Sequence, residues 1–188
     1  MKKIKLIIII LFLILVNSHS NSNELNNLFL KLKNAENFSK AINIEKKIWN
    51  IWITNGSNQK NNLEMNKGIM FLNNGNLNNA LKVFLNLSKV EPEWAEPFNK
   101  VATIKFLQKD YLTSIKYIEL TLEKERRHFG AISGLAQINL RLGRFENALN
   151  NINQALKIHP YISIKKIKPF LLEKLKKKEI KLYLNFIN

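Results

Sequence analysis

The sequence predicts an all-α chain: a linear array of helical hairpins closed by a C-terminal capping helix. Three observations carry this. Small, bulky and apolar residues recur with a 34-residue spacing, a period that belongs to stacked helical units. Glycine and proline are scarce, at 6 and 4 copies in 188 residues, whereas an all-β chain needs them in its many turns. Within each period, two helix-length stretches flank one short polar turn, as at Asn74-Gly75-Asn76.

At the N-terminus, residues 1–20 read as a secretory signal. Lys2, Lys3 and Lys5 make a positive head, and Leu6–Val16 is an apolar run of 11 residues. Ser18 and Ser20 suit the small positions before a cleavage point after Ser20. The run is shorter than the roughly 20 residues that a membrane-spanning helix requires. Removing the leader lysines lowers the formal charge from +16 to +13.

A degenerate unit over 22–60 comes next. Its helix A is expected over Glu24–Ala35, and Phe38-Ser39-Lys40-Ala41 repeats the bulky-x-x-small step that opens each helix B. About five additional residues, around Asn55–Gln59, separate it from three regular units over 61–94, 95–128 and 129–162. In these, Gly68, Ala102 and Ala136 share one position. So do Leu77, Tyr111 and Phe145, and three residues later Ala80, Ser114 and Ala148. Small residues let neighbouring helices approach, and the bulky ones fill the space between them. Gly75 and Gly143 align in the turn with Lys109 between them, and Pro92 and Pro160 align with Arg126. Proline lacks the N–H that a continuing helix B would need.

This pattern resembles the tetratricopeptide repeat (TPR), whose 34-residue signature places small residues at positions eight and twenty. The resemblance covers about residues 22–162, and it implies a right-handed α-solenoid. Glu91-Pro92-Glu93-Trp94-Ala95-Glu96 and Arg127-His128-Phe129-Gly130-Ala131 resemble a subset of exported alphaproteobacterial repeat proteins, with Arg126 where that subset has proline.

Residues 163–188 are expected to cap the array and end in a basic, apolar tail. Ile164, Ile167, Leu171, Leu172 and Leu175 form the apolar stripe, and lysines from Lys165 to Lys178 form the polar side. Pro169 marks a kink, or a break at Lys168. The tail 179–188 is apolar and aromatic, suited to packing back on the cap or to binding.

The resemblance places the ligand groove along the helix A faces. The candidate contacts are Asn66, Asn99, Lys100, Thr103, Ser133, Gln137 and Arg141, a mixture of amides, hydroxyls and cations able to hold a peptide. Arg127 and His128 are candidate edge contacts at a repeat junction, although His128 also suits a helix start bonded locally. Gly130 and Gly134 lie within helix A, where they either open the groove to a ligand backbone or allow close helix packing. Some repeat proteins clamp a terminal carboxylate with lysine and asparagine at set positions. Here those positions hold Met65, Ile69, Lys100, Gly130 and Gly134, which excludes that clamp.

No catalytic residues are predicted. There are no cysteines, so thiolate chemistry and disulfides are excluded. The 3 histidines are scattered and no nucleophile–base pattern occurs, so neither a metal nor a cofactor is expected. The expected function is a non-enzymatic interaction scaffold of the cell envelope, exported to the periplasm, or membrane-associated if the signal stays uncleaved, that binds a protein or peptide. The alternative is a basic adaptor for anionic lipid or an acidic envelope polymer, suggested by Lys165–Lys181. The export signal argues against a nucleic-acid partner.

Overall fold

A computed structural model describes residues 23–187; the signal expected over 1–20 lies outside these. The described residues form helices and turns without a strand. The elements are α1 (23–33), α2 (Phe38–Ile53), α3 (Gln59–Asn73), α4 (Leu77–Val90), α5 (Ala95–Leu107), α6 (Tyr111–Lys124), α7 (Phe129–Arg141) and α8 (Phe145–Ile158), then a 3-10 turn (Ser163–Ile167) and α9 (Lys168–Ile187). The chain divides into two compact units, Met1–Ile51 and Trp52–Asn188. No described helix is long and apolar enough to cross a membrane.

In the first unit, α1 and the part of α2 up to Ile51 bury Leu28, Phe29, Leu32, Ala41 and Ile48. Ala41 performs the small-residue role predicted for it, but Phe38 does not perform the bulky one. It is 59% exposed, so the bulky-x-x-small step survives here only in its small half.

In the second unit, three hairpins follow in order: α3/α4, α5/α6 and α7/α8. Each turn closes in the same way. The amides of Gly75, Lys109 and Gly143 donate to Leu72, Phe106 and Leu140, and those of Asn76, Asp110 and Arg144 donate to Phe71, Lys105 and Asn139. This pair of bonds satisfies the last helical carbonyls and needs a left-handed residue between them. Gly75, Lys109 and Gly143 have φ of 74°, 61° and 70°. Asn76 and Asp110 then cap α4 and α6 through their side chains.

The small positions pack as predicted. A Cβ on Gly68 would come within 2.6 Å of the Phe84 ring, and Ala80, Ser114 and Ala148 are fully buried. Ser114 carries a hydroxyl into this tight contact and donates it to the Ala102 carbonyl at 2.8 Å. One core gathers Met65, Phe84, Leu87, Trp94, Val101 and Ile104, and a second gathers Ala102, Ile118, Ala131 and Ile138. The loop before α3 is tied down by Glu91, which accepts from Ser57 and Asn61.

The cap breaks at Lys168 as expected. The 3-10 turn ends there, and Pro169 sits in the first turn of α9, where its missing N–H costs nothing. Leu171 is buried, α9 packs on α8, and Lys178 pairs with Glu146 of α8 at 2.9 Å. Among the described residues the tail does not fold back on the cap. The helix runs on to Ile187, and Ile180, Leu182 and Tyr183 are exposed.

Candidate functional site

Between α5 and α7 lies a pocket of about 270 Å³. Its floor is Ala102, Ser114, Ile118 and Ala131, and Asn99, Thr103 and Gln137 stand around it. Phe106 and Leu107 add apolar wall, and Gly130 and Gly134 complete the α7 side. Gly134 is not required by packing: a Cβ there would meet only Ile118, at 3.5 Å. Its effect is to keep the groove deep, the opposite of Gly68.

Behind the groove is a buried polar cluster. Glu96, in the first turn of α5, is fully enclosed. One carboxylate oxygen receives the Asn99 amide at 3.1 Å and His128 Nε2 at 2.9 Å. The other meets the Lys100 ammonium at 2.8 Å. His128 Nδ1 accepts from the Ala131 amide at 3.1 Å and so caps α7. That bond places a proton on Nε2, which therefore donates to Glu96. The imidazole lies on the Trp52 indole, with centroids 4.0 Å apart and planes 9° from parallel. Burial alone would raise the Glu96 carboxyl; the Lys100 charge and the His128 hydrogen bond outweigh it, and the net shift is downward.

The cluster orients the groove. Asn99 gives its NH₂ to an acceptor-only carboxylate, which directs its carbonyl away from Glu96. Thr103 donates its hydroxyl to the Asn99 main-chain oxygen at 2.9 Å, which leaves the oxygen's lone pairs as acceptors. Asn99 and Thr103 thus offer acceptors beside an apolar floor, a combination that suits the N–H groups and side chains of a peptide.

Of the sequence candidates, Asn99, Thr103 and Gln137 line this pocket. Ser133 is half-buried and donates to Phe129 within its own helix at 2.7 Å. Lys100 is only 17% exposed and engaged with Glu96. Arg141 lines a separate cleft against α9, and Asn66 is exposed on α3. Arg127 is braced by Glu125 at 2.9 Å. His128 is fully buried, which corrects its reading as an edge contact and agrees with a locally bonded helix start. Glu96 and Trp52 are the residues that sequence reasoning missed as parts of this cluster. The available signal was an acid at the second position and a histidine at the last position of the same 34-residue unit.

Among the described residues no group of three or more acids and histidines is placed to hold a metal ion. The arrangement defines a class: an α-solenoid of helical hairpins with a groove along its A helices.

The comparisons place it further. No protein-family model matches the chain. A TPR repeat-containing protein of Rhizobium etli is 32% identical over 136 residues, which is 72% of this chain and 66% of that protein. Among solved structures, the first TPR of Spaghetti (RPAP3), bound to an HSP90 peptide, superposes with a TM-score of 0.59 at 17% identity, covering 63% of this chain and 94% of that one. The TPR2B domain of yeast Sti1, in an Hsp70 complex, gives 0.56 at 17% identity, covering 64% and 99%. A MamA mutant gives 0.52 at 13% identity, covering 87% and 92%. The chain belongs to the tetratricopeptide-repeat proteins.

Proposed function

We propose that this chain is a non-catalytic interaction module that binds an extended segment of a partner protein in the α5–α7 groove, and that it does so in the cell envelope after export. The observation that carries the reading is the juxtaposition of Asn99 and Thr103, both fixed as acceptors, with an apolar floor that Gly134 leaves open. Two structural neighbours are described with HSP90 or Hsp70 ligands in place, which supports a polypeptide ligand. The clamp positions here hold Met65, Ile69, Lys100, Gly130 and Gly134, so the ligand is held along its backbone and not by its terminal carboxylate.

The test is a photo-crosslinking amino acid at Gln137 in the native cell, with mass-spectrometric identification of the adducts. A defined protein adduct that disappears with Gly134→Leu, which fills the groove, is the expected result. Adducts unchanged by Gly134→Leu overturn the groove reading. N-terminal sequencing of the envelope-fraction protein tests export: a start at Asn21 is expected, and an intact Met1 in the cytoplasmic fraction refutes it.

One observation favours a second reading, a basic adaptor for anionic lipid. Beyond the cap, α9 exposes Ile180, Leu182 and Tyr183 beside Lys176, Lys177 and Lys181, a composition suited to an anionic interface. Flotation with phosphatidylglycerol vesicles that survives replacement of Lys174, Lys176, Lys177 and Lys178 by glutamine would exclude it.

A further inference from the structure

We infer a second binding site at the C-terminal end of the array. The cleft between α7 and α9 takes an acidic segment of a partner protein, with a carboxylate on Arg141 and Lys174 and an apolar side chain against Phe145 and Phe170. The cleft measures about 520 Å³, and Leu140 and Ile167 add to its apolar wall. Phe145 and Phe170 meet edge to face at 6.4 Å, a rigid apolar corner with a ring still 46% exposed at Phe170.

Several cations of the array already have a carboxylate partner. Lys100 is held by Glu96, Lys178 by Glu146 and Lys177 by Glu173. Arg141 is exposed, and among the described residues no carboxylate pairs with it. Lys174 rests over the Phe170 ring at 5.5 Å. Glu173 lies near Lys174, but its carboxylate is engaged by Lys177 at 2.6 Å. An arginine fork and an ammonium beside two aromatic rings match a carboxylate followed by an apolar side chain. The formal charge, +13 once the leader lysines are removed, also draws acidic partners to the chain.

Gln137 lines both this cleft and the α5–α7 groove, so one extended peptide can cross from one to the other. In that sense the inference rests on the groove reading, yet the two fail separately.

The probe is a fluorescein-labelled peptide of alternating glutamate and leucine, titrated against the full chain by fluorescence anisotropy. Its control carries glutamine in place of glutamate. Arg141→Gln is expected to weaken binding about tenfold and Lys174→Gln about threefold, as for charge-assisted contacts. Phe170→Ala, at an exposed ring, is expected to weaken it without unfolding the chain. The glutamine control should bind poorly. An unchanged affinity in Arg141→Gln overturns the site, as does an equal loss in Lys176→Gln or Lys181→Gln, which would reveal diffuse charge attraction. Loss in Arg141→Gln with full binding in Gly134→Leu sustains this site while the groove reading falls. Loss in Gly134→Leu alone sustains the groove and overturns this site.

Discussion

His128 donates from Nε2 to Glu96 Oε2 at 2.9 Å, and neither side chain is exposed to solvent. Glu96 stands in the first turn of α5 and His128 caps α7, so this bond joins the starts of two successive A helices. The groove lies between those helices, and Asn99, on its wall, is oriented by the same carboxylate. Groove width and groove polarity therefore share one support.

Removing that carboxylate takes from Lys100, His128 and Asn99 the acceptor they share. Glu96→Ala is expected to cost about 3–5 kcal/mol, the range for breaking a buried charge pair. Glu96→Gln should cost less, because an amide oxygen still accepts from His128. Chemical denaturation of the three proteins at pH 7 gives the comparison; an alanine variant within 1 kcal/mol of the parent, on the same scale, would contradict the assignment.

The same carboxylate sets an acid limit. Its folded pKa lies below the ordinary value, so its stabilising contribution is complete above the unfolded pKa of about 4.3. The contribution is lost as pH falls through the lower folded value. Tm should hold from pH 7 to about 5 and then drop. In Glu96→Gln the drop should be shallower. Identical slopes in the two proteins would assign the acid sensitivity to other groups.

Lys109 adopts φ of 61° where the equivalent turns have glycine. A side chain there strains the backbone by roughly 1 kcal/mol. Lys109→Gly should raise stability by about 0.5 kcal/mol once the greater freedom of the unfolded glycine is subtracted. A lower Tm would show that the lysine side chain contributes more than the strain removes.

Two glycines in A helices should respond oppositely to alanine. At Gly134 the new Cβ meets only Ile118 at 3.5 Å, so the helix gains about 1 kcal/mol. At Gly68 it meets the Phe84 ring at 2.6 Å, and overpacking should cost about 1–3 kcal/mol. Paired thermal melts decide this, and stabilisation at both positions would mean that Phe84 moves aside freely.

The sequence by itself determined the hairpins, their order and the hydrophobic positions between them. Those features repeat every 34 residues, and each depends on residues near one another in the chain. The small position at Gly68 and the turn at Gly75 were legible in this way, and Pro169 marked the kink or break at Lys168. Only the tertiary structure decided which polar residues face a ligand. Within α5, Glu96, Asn99, Lys100 and Thr103 share one stretch of helix. Glu96 holds Lys100 and meets a histidine 32 residues away that stacks on Trp52, while Asn99 and Thr103 line the groove. A charged side chain is buried only when its partners arrive from other helices, and a 34-residue pattern does not specify those meetings. Arg141 shows the same limit: the repeat pattern placed it in the groove, and the position of α9 gave it a cleft of its own.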